Sequence, residues 1–257
     1  MDSIKDQVQK QFLQSGRGYR KSHIHAKGED LIWLTEEISN RLEDPILALD
    51  IATGTGHTAF ALTQSARRVV GLDLTPHMLE IAEEEADRQN IPPITWVQGD
   101  AENLPFPDRF FDIVTCRIAA HHFPEPIQAF SEACRVLIPG GLFILIDNYA
   151  PDAPSAEALL NQIEKRRDPS HFHVPSQKSW CQMLYSSGFS SVHTARTWET
   201  PILMPDWFQR AQTPKEDQSW ILETLRQAPQ HDRDELGFQD TDTPRLMWKK
   251  AMWIGQR

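Results

Sequence analysis

The stretch Leu49-Asp50-Ile51-Ala52-Thr53-Gly54-Thr55-Gly56-His57 decides how this chain folds. It closes a continuously apolar run, Ile46-Leu47-Ala48-Leu49, with an acid at the end, as expected of a strand buried on both faces of a parallel sheet. Gly54 and Gly56 then allow the backbone to turn sharply and to approach a ligand closely, because no Cβ stands in the way. The helix predicted over 57–66 points its free N–H groups and partial positive charge at that ligand.

The same rhythm extends outward. Upstream, Leu31, Leu34, Ile38 and Leu42 recur at helical spacing within 28–42. Downstream, Val69–Asp73 reads as a second strand ending in an acid, and Thr75-Pro76 as a helix N-cap followed by an N1 proline. Met78, Ala82 and Ala86 mark that helix's buried face. Ile94–Val97 and Phe111–Cys116 read as strands three and four. A helix from about 125 puts Ile127, Phe130, Cys134 and Leu137 on one side and stops at Pro139-Gly140-Gly141. Leu142–Asp147 is strand five. After 150 the pattern predicts helices at 155–165 and 176–187, a strand at 191–197, a tryptophan-rich helix over 203–228 and a last strand at 246–254. Alternating strands and helices imply right-handed crossovers and an open α/β sheet, with the late helices capping its carboxyl edge, where such sheets bind ligands.

Composition narrows the partners. The 257 residues carry 26 basic and 36 acidic side chains, a net charge of −10. Nucleic-acid binding requires clustered Lys and Arg; the densest cluster, Lys165-Arg166-Arg167, is followed at once by Asp168 and reads as a solvated helix end. No apolar run approaches the roughly 18 residues of a membrane span, and Met1–Asp6 has no signal-peptide core. Three cysteines, Cys116, Cys134 and Cys181, fit reduced thiols in a cytoplasmic protein. Cys116 and Cys134 read as core. No CxxC or HxxxH spacing points to a metal.

The site reading rests on three acids. Asp73 stands 19 residues after Gly54 at the tip of the second strand, placed to accept the hydroxyl hydrogens of a ribose. Gly54-x-Gly56-x-x-Ala59 also matches a dinucleotide fingerprint, so an NAD-dependent oxidoreductase and a non-catalytic cofactor-binding module both stand as alternatives. Asp50, four residues before the first glycine, would repel a pyrophosphate and favour an amino group or sulfonium. Asp100, after the third strand, can accept from an exocyclic adenine amine.

Taken in order, Leu49–Gly56, Gly71–Leu79, Gly99–Phe106, Phe111–Val114 and Arg135–Gly141 resemble the class I S-adenosylmethionine-dependent methyltransferases, in particular the ubiquinone/menaquinone-biosynthesis-like small-molecule branch. The resemblance implies a Rossmann-like, doubly wound, mostly parallel seven-stranded sheet. Its last strand would be antiparallel, at 246–254 between strands five and six, with a helical cap. It divides one domain into an N-terminal helical segment over the cofactor (1–42), a binding core (43–150) and cap insertions with the last two strands (151–257). It implies that Ala52, Gly54 and Gly56 line the methionine part of S-adenosylmethionine, Asp73 holds the ribose, Leu74 and Met78 flank the adenine, Asp100 and Ala101 meet its edge, and Arg117 faces the cofactor. Ala52 stands where glycine is commoner. Tyr19, in the segment Tyr19–Gly28, resembles a residue that folds over the cofactor.

Methyl transfer from a sulfonium is an in-line displacement in which alignment alone contributes on the order of 7–11 kcal/mol. A base adds roughly 10²- to 10⁴-fold if the acceptor carries a proton. His121-His122 follow strand four at the carboxyl edge, and His171 and His173 lie in the expected cap; His122 and His171 are the candidates for catalysis. Trp180, Trp198, Trp207, Trp220, Trp248 and Trp253 crowd the second half, mostly as packing, with one or two expected to line a pocket for a small, apolar or aromatic acceptor.

Overall fold

A computed structural model describes residues 4–20 and 28–257, the side chains of residues 4 and 14–20 excepted. Seven strands form one sheet in the order β3-β2-β1-β4-β5-β7-β6. They are β1 Leu47–Ile51, β2 Arg68–Asp73, β3 Ile94–Gln98, β4 Phe111–Arg117, β5 Leu137–Asn148, β6 Ser191–Leu203 and β7 Arg245–Gln256. The first five are parallel, and β7 runs antiparallel between β5 and β6, as the resemblance implied.

Both faces of the sheet are buried, which is why its strands read as unbroken apolar runs. Leu49 and Ile51 of β1, Val114 and Cys116 of β4, Phe143 and Leu145 of β5 and Trp253 of β7 pack on one side. Their alternates Ala48, Ile113, Ile144, Ile146 and Met252 pack on the other, the period of two that a pleated strand imposes. The helices α1 (Ile4–Arg20), α2 (Glu29–Ser39), α3 (His57–Leu62), α4 (Pro76–Gln89), α5 (Pro126–Val136), α6 (Pro154–Arg167) and α7 (Gln177–Ser186) accompany the sheet.

The region 203–228, read as one helix, is two: α8 Met204–Ala211 and α9 Lys215–Gln227, followed by α10 Gln230–Glu235. Gln212 takes a left-handed φ of 55° and Pro214 forms the N-cap of α9, so the chain must restart there. β6 also runs to Leu203, longer than expected, because it pairs with β7 along its whole length. The cap has its own apolar core of Leu160, Ile163, Trp207, Phe208, Ile221 and Leu225. Trp180, Trp207 and Trp253 are among the largest fully buried side chains, whereas Trp248 lines the cleft.

Two residues at neighbouring strand tips hold left-handed backbone without being glycine: Ala52 after β1 (φ 53°) and Ile118 after β4 (φ 52°). That conformation costs a residue with a Cβ about 1–2 kcal/mol, while glycine gives back about 0.5–1 kcal/mol in unfolded-chain freedom. Ala52→Gly is therefore expected to raise stability by about 0.5–1 kcal/mol; urea unfolding checks this, and a destabilised variant would contradict the strain.

Candidate active site

The carboxyl ends of β1, β2, β3 and β4 open onto one cleft that runs on beneath the cap. It lies where β1 and β4 are adjacent but their connections leave in opposite directions, the switch point of an open α/β sheet.

At its first end the glycine turn and Asp73 are locked together. The Gly54 N–H donates to Asp73 Oδ2 at 2.8 Å and the Thr75 N–H to Oδ1 at 2.9 Å. Each carboxylate oxygen keeps lone-pair capacity beyond these bonds. Burial pushes the Asp73 carboxyl up to about 6, against the backbone bonds that pull it down. A Cβ on Gly54 would stand 3.6 Å from Met78 Cε and fill the gap between turn and helix. Gly56 plays a different part. Its φ of 86° starts α3, and a Cβ there would meet the Phe60 ring at 2.7 Å.

Ala52, Gly54, Asp73, Leu74, Met78, Asp100, Ala101, Arg117 and His122 line the cleft. Asp50 and Gly56 stand behind that lining. Asp50, 1% exposed, accepts from Thr115 Oγ1 at 2.7 Å, and burial pushes it up to about 6 although the hydroxyls of Thr53 and Thr115 favour its charge. Arg117 is tied to buried Asp30 at 2.7 Å. The side chain of Tyr19 lies outside the described residues, as do residues 21–27 of that segment. Among the described residues of α1, Lys5, Val8 and Phe12 reach the cleft. Lys5 Nζ lies 2.5 Å from carboxylate oxygens of both Asp100 and Glu102.

The second end is built from histidines. His121 Nδ1 meets Asp147 Oδ1 at 2.7 Å. Burial works against charge on His121, but the Asp147 carboxylate outweighs it and holds the imidazole above its ordinary range. His122 lies against it, ring centroids 4.2 Å apart, and is driven the other way: burial and the His121 charge lower it to about 4. Its Nδ1 faces the Ser170 carbonyl at 3.0 Å. A carbonyl only accepts, so Nδ1 carries the hydrogen and Nε2 is left as the acceptor. His171 does not line the cleft. It is 1% exposed, its Nε2 donates to Asn161 Oδ1 at 2.9 Å, and burial among cationic neighbours holds it neutral. It sits in the layer behind His121.

Sequence reading did not single out His57, Lys5, Phe12, Asn148, Glu164, Arg167 or Arg210 as site residues, and it offered Trp248 as one of six tryptophans of which one or two would line a pocket; all eight line the cleft. Burial holds His57 neutral at about 4, and its Nε2 has no partner among the described residues. Asp147 had a legible signal, an acid ending a buried strand like Asp50 and Asp73. The cap residues had none. The thiols of Cys116 and Cys134 are pushed up by burial and are not ionised nucleophiles.

An acid at the second strand's tip bonded to a glycine turn at the first, opening into a histidine-lined pocket, defines a nucleoside-cofactor transferase site. Residues 49–145 match the family described as "Methyltransferase domain". The chain is 36% identical over 223 residues to the uncharacterized methyltransferase YcgJ of Bacillus subtilis, covering 87% of each. The solved structure of YcgJ superposes with a TM-score of 0.84 at 32% identity, over 89% of this chain and 98% of that one. A putative methyltransferase from Bacillus halodurans gives 0.82 at 32% identity, over 89% and 99%. A demethylmenaquinone methyltransferase of Deinococcus radiodurans is 38% identical over 133 residues, 51% of this chain and 55% of that one. The chain belongs to the class I S-adenosylmethionine-dependent methyltransferases. Its cofactor is S-adenosylmethionine; the oxidoreductase and non-catalytic readings are not favoured.

Asp147→Asn removes the carboxylate that keeps His121 charged. In a proton NMR titration the His121 imidazole should then titrate below the ordinary histidine range, where the wild type titrates above it. An unmoved midpoint would separate the two groups electrostatically.

Proposed function

We propose that the cleft seats S-adenosylmethionine at its glycine-turn end and a small, apolar or aromatic methyl acceptor at its histidine end. The observation that carries this reading is that Gly54, Asp73 and Asp100 share one continuous cavity with His121 and His122. Ligands held at the two ends therefore meet inside it. When bound, S-adenosylmethionine supplies an electrophilic methyl group on a sulfonium sulfur.

The residues present fit that group. Asp73 accepts the ribose hydroxyl hydrogens with the lone pairs left by Gly54 and Thr75. Leu74 and Met78 give the adenine an apolar slot, and Asp100 with Ala101 meets its edge. Ala52, Gly54 and Gly56 keep the turn low enough for close approach. Asp50 beneath the turn supplies negative charge under a cation, and Arg117, anchored by Asp30, faces the cofactor. Tyr19 enters this reading on the family resemblance alone.

His122 is the neutral imidazole at the acceptor end, so it is the group able to take a proton. Its basicity is low, but an oxygen or nitrogen that carries both its proton and a new methyl group is far more acidic than before, and the transfer then runs downhill. His121 and Asp147 fix the ring beside it, and His171 backs the pair. The likeness to a demethylmenaquinone methyltransferase supports a small-molecule acceptor. So does the fate of the basic cluster: Lys165 Nζ donates to backbone carbonyls of Pro169 and His171, Arg166 pairs with Asp217 at 2.5 Å, and Arg167 is buried. No nucleic-acid partner is part of this reading. Among the described residues no helix is long and apolar enough to cross a membrane, and all three cysteines are free; both are compatible with a cytoplasmic enzyme.

Calorimetry with S-adenosylhomocysteine and NAD in parallel tests the cofactor end. The first should bind and the second should not; preference for NAD overturns the reading. Asp73→Ala should weaken S-adenosylhomocysteine by about 1.5–3 kcal/mol, the range for hydrogen bonds to a charged group. Because the ribose hydroxyls need an ionised acceptor, wild-type affinity should be flat at neutral pH and fall as pH drops through about 6, where Asp73 takes up its proton. A pH-independent affinity between 7 and 5 would remove Asp73 from the site.

His122→Ala should lower turnover by roughly 10²- to 10⁴-fold with S-adenosylhomocysteine affinity unchanged. The acceptor for that assay comes from screening metabolites for methyl gain with the purified protein.

A further inference from the structure

The cap end of the cleft holds two neutral polar atoms that the fold itself does not satisfy. Trp248 is 8% exposed and Asn148 6%, yet Trp248 Nε1 and Asn148 Oδ1 have no hydrogen-bond partner among the described residues. Both side chains line the cleft. The indoles of Trp207 and Trp253 also lack a partner there, but they lie inside the apolar cores and are not part of the cleft lining. Asn148 stands opposite Lys250 across the β5–β7 ladder, and Trp248 is two residues along from Lys250 on the same face of the sheet. Asn148 and Trp248 are therefore diagonal neighbours, a separation that a large side chain spans.

The rest of each residue is already committed. The Asn148 N–H donates to Asp147 Oδ1 at 2.7 Å, and its backbone carbonyl accepts from Trp180 Nε1 at 2.9 Å. Arg210 and Lys250 lie over the Trp248 ring at 5.6 and 5.5 Å, contacts that use its π-system and leave its N–H edge. What remains is one indole N–H and one amide oxygen, side by side and not bonded to each other. Buried polar groups in native structures are almost always partnered, so the pair calls for a group that serves both.

The chemistry of the pair selects that group. The indole only donates and the amide oxygen only accepts. A carboxylate or ketone oxygen would meet the indole and leave Oδ1 without a hydrogen. An ammonium would meet Oδ1 and leave the indole without an acceptor. A hydroxyl accepts from one and donates to the other through a single oxygen. Phe12 and Phe123 line the same cleft and give the rest of such a molecule an apolar wall.

We propose that Trp248 and Asn148 hold a hydroxyl group of the methyl acceptor, Trp248 Nε1 donating to its oxygen and Asn148 Oδ1 accepting its hydrogen. This rests on the acceptor reading of that end and names the acceptor's class: a hydroxyl-bearing molecule with an apolar or aromatic body. A site built this way discriminates strongly, because an analogue without the hydroxyl leaves two buried groups unpaired.

The test uses the full chain saturated with S-adenosylhomocysteine and titrates five probes of similar size: benzyl alcohol, ethylbenzene, benzylamine, acetophenone and benzoate. Ethylbenzene and benzylamine put a methyl and an ammonium where benzyl alcohol has its hydroxyl. Benzyl alcohol should bind at least tenfold more tightly than each of the others. Trp248→Phe removes the donor and keeps an aromatic wall; Asn148→Leu removes the acceptor at nearly constant shape. Each should weaken benzyl alcohol at least threefold without weakening ethylbenzene, and the double variant should prefer ethylbenzene. A merely structural role would weaken both probes alike. All variants should bind S-adenosylhomocysteine as the wild type does, which also reports that they are folded. Ethylbenzene, benzylamine, acetophenone or benzoate binding as tightly as benzyl alcohol overturns the proposal, as do variants that leave the preference unchanged or weaken both probes alike. Those outcomes leave the cofactor reading intact. Failure of S-adenosylhomocysteine to bind the wild type overturns the cofactor reading and this inference with it.

Discussion

The structure depends on one topological constraint. β1 and β4 lie side by side, but β1 sends its chain toward β2 and β4 sends its chain toward β5. Two neighbouring strands that part at their carboxyl ends leave a crevice between the departing loops. The other parallel pairs, β1–β2, β2–β3 and β4–β5, are each joined by their own connection. The left-handed residues Ala52 and Ile118 stand on the two lips of that crevice. Strain of this kind gathers at functional sites because the surrounding structure holds it there. The Ile118 N–H, anchored on the Ile146 carbonyl at 2.7 Å, shows what holds one lip.

The constraint also sorts charge. Acids end β1, β2 and β5 as Asp50, Asp73 and Asp147, each buried at the sheet's edge. Their surroundings give them different tasks. Among the described residues Asp50 and Asp73 face no cation within ion-pair distance, and both are raised by burial, whereas Asp147 has His121 against it and is held low despite burial. One end of the cleft is thus a field suited to a cation, and the other keeps an imidazolium beside a neutral imidazole. Adjacent histidines with opposite protonation need a carboxylate in contact with one of them, and Asp147 bonds directly to His121.

Much of this was legible in the sequence. The apolar runs ending in acids, the paired glycines and the Pro-Gly-Gly stop placed the first five strands, and the resemblance to a known family placed β7 between β5 and β6. The cofactor-end residues were readable because they are backbone-driven: a turn that needs glycine and an acid at a strand tip leave a mark in local sequence. The acceptor end was not, because it is assembled from β5, α6, α8 and β7, elements separated by up to a hundred residues. No local pattern in Arg210 or Trp248 says that they meet. The same reason explains His171, which by position in the chain belongs with the site and by packing lies behind it. The break at Gln212 did leave a mark: Pro214 signals the restart, and from Gln212 to Ser219 no apolar side chain but that proline carries the helical spacing on.

The placement of β7 has a consequence for how the molecule comes into being. Its residues are separated from β5 by about a hundred positions, yet it pairs with β5 on one side and β6 on the other. Until it arrives, both of those strands present bare edges, the arrangement most prone to join with another chain. Sheet completion is therefore a late, long-range event in folding. During vectorial synthesis the nascent polypeptide carries two open seams until the segment at 245–256 leaves the ribosome and closes them together.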